Sequence, residues 1–153
     1  MNLKIGDLMT RNVCFAWPHM TLREAAAQMK ARDVGSLPVC EGLRVVGILT
    51  DRDLALRATA EGCDPNLTKV EAVMTREVIT CKPGDSVELA EEIMQDWQLR
   101  RLPVVDDQGN LLGILTLAKV ARSETPEKAG KVIKGVSQPT HYATAGSEAG
   151  GTS

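Results

Sequence analysis

The sequence predicts an α+β, sandwich-like fold built from two copies of one β-α-β-β-α unit. Three observations predict it. The chain of 153 residues repeats itself at a nearly constant offset. Within each copy the hydrophobic pattern changes from extended to helical, then to paired short strands, then to helical again. Apolar residues make up 43% of the chain while Phe, Trp and Tyr together number four, so a core can form and must be aliphatic.

The repeat comes first, because it fixes the boundaries of everything else. At a shift of 65 the chain pairs Met9 with Met74, Thr10 with Thr75, Pro18 with Pro83, Met29 with Met94 and Leu37-Pro38-Val39 with Leu102-Pro103-Val104. One residue is then inserted in a turn, and at a shift of 66 Gly47-Ile48-Leu49-Thr50 pairs with Gly113-Ile114-Leu115-Thr116. Ordered matches with a single gap inside a turn mark a duplication. The expected organisation is repeat 1 over 1–62, repeat 2 over 63–122 and a mostly mobile tail over 123–153.

Each copy opens with a short extended run, Val13–Ala16 and Val78–Cys81, broken by Pro18 and Pro83. A helix follows. Leu22, Ala25, Ala26 and Met29 in one copy, and Val87, Ala90, Met94 and Trp97 in the other, follow helical spacing. Thr21 with Glu24, and Asp85 with Glu88, read as capping boxes. Two strands come next, SLPVC with VVGILT and RLPVV with LLGILT, turning at Glu41-Gly42 and at 106–110. A second helix starts after each GILT, over Asp51 to about Ala60 and Leu117 to about Arg122. Beyond Ser123 large apolar residues thin out, with 131–136 the one stretch able to dock weakly.

Charge and composition exclude several classes. The net charge of -2, from 18 basic and 20 acidic side chains, gives no electrostatic case for duplex nucleic acid or an anionic membrane. No apolar run approaches the ~20 residues that span a bilayer, and the N-terminus lacks the apolar stretch of a secretory signal. The expected compartment is the cytoplasm. The four cysteines form no CxxC pair and stand apart from His19 and His141 in sequence, which argues against zinc. They read as buried small hydrophobes, with a reversible Cys14–Cys40 pair as the sharper alternative. No Ser/His/Asp or Cys/His constellation points to catalysis, so the chain reads as a non-enzyme.

The motifs GSLPV and GILTDRD in one copy, with RRLPV and GILT in the other, carry a resemblance. A β-α-β-β-α unit with a small residue and h-P-V before a hairpin, then G-h-h-T-x-x-D at a helix start, resembles the CBS domain; the tandem pair resembles a Bateman module of the stand-alone bacterial type. The resemblance covers residues 3–122. It implies repeats related by a pseudo-two-fold axis, a homodimer, a partner protein yet to be identified, and a cleft between the repeats for an adenosine nucleotide. AMP, ADP or ATP are the first candidates, with NAD or S-adenosylmethionine behind them, and no cofactor is required.

The resemblance also assigns residues. Asp53 would accept hydrogen bonds from ribose hydroxyls, and Thr50 would face a phosphate. Val78, Ile79 and Leu99 would flank the adenine, and Arg100 or Arg101 would meet phosphate oxygens. The plainer reading stands beside it: Thr50 and Asp53 also fit a helix cap worth about 1 kcal/mol with no ligand. In the second copy Lys119 replaces the aspartate. An ammonium has no acceptor for a ribose hydroxyl, so Lys119 is either solvated or joins Arg101 around an anion. One nucleotide per chain is expected. The competing function is a structural, protein-interaction dimer with no bound nucleotide.

Overall fold

The computed structural model describes residues 3–137; the expected mobility of 138–153 falls outside the described residues. The elements run in chain order as α1 (Ile5–Leu8), α2 (Leu22–Arg32), β1 (Ser36–Glu41), β2 (Arg44–Thr50) and α3 (Asp51–Asp53), which widens into a π-helical stretch over Leu54–Thr59. A 3₁₀ turn (Val70–Ala72), α4 (Val87–Trp97), β3 (Arg101–Val105), β4 (Leu111–Thr116), α5 (Leu117–Arg122) and α6 (Pro126–Val136) complete the described residues. The sheets are two separate hairpins, β1–β2 and β3–β4.

The opening runs of each copy form single bridges, not strands: Ala16 pairs in parallel with Val39, and Cys81 with Val104. The prolines just beyond them cannot donate a ladder hydrogen bond, which keeps the pairing short. In the first hairpin Leu37 faces Leu49 and Val39 faces Gly47, and a bulge after Val39 resets the register so that Glu41 faces Arg44. The turn therefore falls at Gly42–Leu43, one residue later than the sequence suggested. Gly42 takes it at φ 62°, a left-handed conformation open to glycine without strain.

The helix caps follow the sequence with one shift. Thr21 caps α2 by accepting from the Glu24 N–H at 3.2 Å. The cap of α4 is Ser86, accepting from Leu89 N–H at 3.2 Å, where Asp85 was expected. Both helices end on a left-handed residue at equivalent positions, Asp33 (φ 54°) and Gln98 (φ 58°). Helix α1 had no periodic signal and was not expected; its first turn is tied by the Lys4 N–H donating to Asp7 Oδ2 at 2.9 Å.

The expectation of a mobile tail from 123 onward is corrected over Pro126–Val136. Thr125 accepts from the Lys128 N–H at 3.4 Å, Pro126 occupies the first helical turn, and Val132 and Val136 are buried. Two valines four apart, both facing inward, suffice to dock a helix that composition alone reads as a tail.

The described residues group into two compact units that cut across the repeats. One contains Thr10–Lys82 and Pro103–Ile114; the other contains 3–9, 83–102 and 115–137. In the first, Leu22 and Met29 of α2, Leu37 and Val39 of β1 and Leu49 of β2 share a core with Val70, Val73 and Met74 from beyond the linker, residues 60–69, that joins the two copies. Each such side chain contributes roughly 1.5–3 kcal/mol of burial. In the second, α4, α5 and α6 pack on one another, burying Met94, Leu117, Val120, Val132 and Val136. Among the described residues no helix is long and apolar enough to cross a membrane.

Gly47 shows how tightly the first unit is drawn together. A Cβ there would lie 2.7 Å from Met74 Sδ and 3.0 Å from the Thr75 carbonyl oxygen. Gly47→Ala should therefore lower unfolding free energy by roughly 1–3 kcal/mol through overpacking. Gly84→Ala, whose Cβ would meet nothing within 4 Å, should leave the urea midpoint nearly unchanged.

Candidate functional site

The residues singled out by sequence fall into both units, and each group has its own geometry. In the first unit β2 ends at Thr50 and the chain turns directly into α3. Thr50 Oγ1 accepts from the Asp53 N–H at 3.0 Å, and Asp53 Oδ2 accepts from the Thr50 N–H at 3.0 Å. This is a full reciprocal capping box, which satisfies two backbone donors that a helix start otherwise leaves open.

A third partner comes from across the linker. The Thr75 hydroxyl donates to the same carboxylate, 3.2 Å from Oδ1 and 3.4 Å from Oδ2. Thr75 is held there by its backbone: its N–H donates to Ile48 O at 2.8 Å and its carbonyl accepts from Ile48 N–H at 2.8 Å. Arg57, one turn along, brings its Nε to 3.7 Å from Asp53 Oδ1. Asp53 is only 7% exposed, so its charge depends on these donors. Its structural role as a cap is thus realised, and Thr75 and Arg57 join it as residues the sequence reading did not assign. The match of Thr10 with Thr75 marks the duplication but does not point to this contact.

Val78 and Ile79 lie in the same unit and are half-buried. Leu99, Arg100, Arg101 and Lys119 lie in the other unit. There, the Leu117 N–H donates to Arg100 O at 2.8 Å, tying the start of α5 to the residue before β3. Arg100, Arg101, Thr116, Leu117, Ala118 and Ile133 line a surface cavity of about 340 Å³. Two guanidiniums and a hydroxyl beside apolar walls can hold an anion attached to an apolar group. Leu99 and Lys119 are half-buried and are not among the lining residues. Thr116 keeps its cap, accepting from the Lys119 N–H at 3.2 Å, but the lysine side chain cannot return the reciprocal bond that Asp53 makes. Ile133, from α6, is a lining residue that the sequence reading missed along with its helix.

The remaining chemistry-bearing groups are quiet. All four cysteines are free, and burial pushes the Cys40 thiol up to about 11, which suppresses its thiolate. The parallel bridge of Ala16 with Val39 sets Cys14 and Cys40 three residues out of register, roughly 10 Å along a strand and past disulfide reach. Cys14 instead donates its thiol to Gln28 Oε1. His19, 81% exposed at its side chain, has a loose 3.7 Å contact with Glu71. Among the described residues no three His, Cys, Asp or Glu side chains gather as a metal site.

A duplicated β-α-β-β-α unit with Thr-x-x-Asp at a strand-to-helix junction defines a class of small regulatory folds. The CBS domain model matches residues 5–58 and again 70–124, and the chain belongs to the CBS domain family. It is 42% identical over 134 residues to CBS domain-containing protein YhcV of Bacillus subtilis, covering 87% of this chain and 94% of that protein. Its fold matches Hypoxic Response Protein I, solved with two coordinated zinc ions, at a TM-score of 0.72 and 33% identity over 79% of this chain and 98% of that one. It also matches CBSX2 of Arabidopsis thaliana, solved in complex with AMP, at 0.70 and 28% identity over 82% and 98%.

Removing the Asp53 carboxylate should destabilise the fold with no ligand present. Asp53→Ala leaves the Thr50 N–H and the Thr75 hydroxyl without their acceptor, and a loss of roughly 1–3 kcal/mol is expected in urea unfolding. Asp53→Asn keeps one carbonyl oxygen for the Thr50 N–H and should lose less.

Proposed function

We propose that this chain is a non-catalytic regulatory module that binds an adenosine-containing nucleotide, AMP, ADP or ATP. Asp53 takes the ribose and Thr50 a phosphate, with Val78, Ile79 and Leu99 against the adenine. Arg100 and Arg101 take phosphate oxygens, and Lys119, unable to accept from a sugar, limits the chain to one nucleotide. The observation that carries this reading is family membership together with the AMP complex of a relative that matches over 82% of this chain. The cavity lined by Arg100, Arg101 and Thr116 supports the phosphate assignment. A nucleotide that binds one arrangement of the module more tightly than another supplies the switching free energy for a partner protein. The module is proposed to work in the cytoplasm as a homodimer.

The second reading is a protein-interaction dimer with no nucleotide. It is favoured by the Asp53 carboxylate, already engaged by Thr50 and Thr75 and 7% exposed. Trp17 and Trp97, 47% and 54% exposed, are of the residue type enriched at interfaces.

Thermal melts with AMP, ADP, ATP, NAD and S-adenosylmethionine separate the readings. At a hundredfold excess over Kd, a specific ligand adds about 2.7 kcal/mol of stability, or several degrees in Tm at ~2–4 °C per kcal/mol. Arg101→Ala should weaken the shift for phosphorylated ligands while leaving the unliganded Tm close to that of the parent. If no ligand moves Tm and the protein sediments as a dimer, the interaction reading replaces the nucleotide one.

A further inference from the structure

The second unit contains a carboxyl group whose surroundings are wrong for a carboxylate. Glu91, on α4, is 5% exposed, and its Oε1 has no hydrogen-bond partner. Three charged groups act on it from the elements around it: Glu88 from its own helix, Glu124 from the turn between α5 and α6, and Lys128 from α6. Lys128 Nζ stands 3.9 Å from Glu91, 3.9 Å from Glu88 and 3.5 Å from Glu124. Arg122 of α5 is turned to its own helix, donating to Ala118 O at 3.2 Å. One cation thus serves three carboxyls, and two of these, Glu91 and Glu124, are largely shielded from water, Glu124 with 14% of its side chain exposed.

The same seam is where α6 docks. Val132 and Val136 are buried, and Gln98 Nε2 donates to the Gly135 carbonyl at 2.9 Å. Gly135 permits that approach, since a Cβ there would fall 2.5 Å from Gln95 Oε1. From the same helix Ile133 forms one wall of the cavity that holds Arg100 and Arg101.

We propose that α6 is a proton-controlled flap: it docks when Glu91 holds a proton, loosens when Glu91 is ionised, and carries the Ile133 wall of the arginine cavity with it. A proton on Glu91 gives this buried carboxyl a donor of its own and removes one of the three negative charges gathered around Lys128. Burial pushes the Glu91 carboxyl up to about 7, helped by the hydrogen bond and charge of Glu124 and by Glu88, and opposed by Lys128. The direction of the effect follows. A carboxyl of ordinary acidity in the undocked helix loses its proton near 4.5 while the docked one holds it to about 7, so docking is strongest below that window and weakens as pH rises through it. The proposal does not rest on which anion the cavity binds.

Hydrogen exchange of the α6 backbone amides tests this, with rates corrected for intrinsic exchange and α2 amides as an internal reference. The docking constant should fall about tenfold between pH 6 and pH 8, the ratio that a proton held to about 7 in one state and about 4.5 in the other demands. Glu91→Gln places a permanent donor in the seam and should make α6 protection flat across that range. Glu124→Gln removes the neighbouring charge that helps raise Glu91 and should move the fall in protection to lower pH, a second test should the first variant fold poorly. Equal α6 protection in the parent at the two pH values, or an unaltered pH profile in the folded variants, would overturn the proposal.

Discussion

The carboxylate of Asp53 gathers three pieces of chain that are not neighbours in sequence. It caps α3, receives the backbone N–H at the end of β2, and accepts the hydroxyl of Thr75 from beyond the linker. Because the group is buried, removing any of these donors leaves a charge poorly compensated. The path from GILT into the helix, and the return of the chain along β2 at Thr75, are therefore fixed by one side chain. Gly47 completes the arrangement from the opposite direction, by having no side chain where Met74 and the Thr75 carbonyl press in.

Against that constraint, the difference between the copies gains physical meaning. Thr50 and Thr116 both cap a helix, yet only the first cap is reciprocated. Lys119 in the first turn of α5 places a cation where the backbone dipoles favour an anion, a disadvantage of a few tenths of a kcal/mol up to about 1 kcal/mol. The second copy tolerates it because α5 is secured elsewhere, by Leu117 and Val120 in the core and by its contact with α6.

Much of this was legible in the sequence, and the exceptions have distinct causes. The repeats, α2, α4 and both hairpins declared themselves because each carries a hydrophobic period over enough residues to stand out. The cap of α4 was placed one residue early, at Asp85, because Asp and Ser are both good caps and only backbone geometry selects Ser86 (φ -73°, ψ 154°). Helix α6 was missed because Gly130 and Gly135 dilute its pattern, although Thr125, Pro126 and Glu127 are a helix-start signature. Gly135 is there for proximity to Gln95, a reason invisible until the neighbour is known. The ligand assignments drawn from the family pattern named Asp53 and Thr50 but not Thr75, because a hydroxyl 22 positions away leaves no local pattern to read.

Val70, Val73 and Met74 belong to the second family match, yet they fill the core around Leu37, Val39 and Leu49 of the first. A single copy, cut free, would lack its own plug and would have to borrow one from another molecule. Tandem fusion turns that loan into a tethered encounter, at an effective concentration on the order of millimolar. The duplication is therefore a means of closing the first half, whose core is complete only when both copies contribute to it.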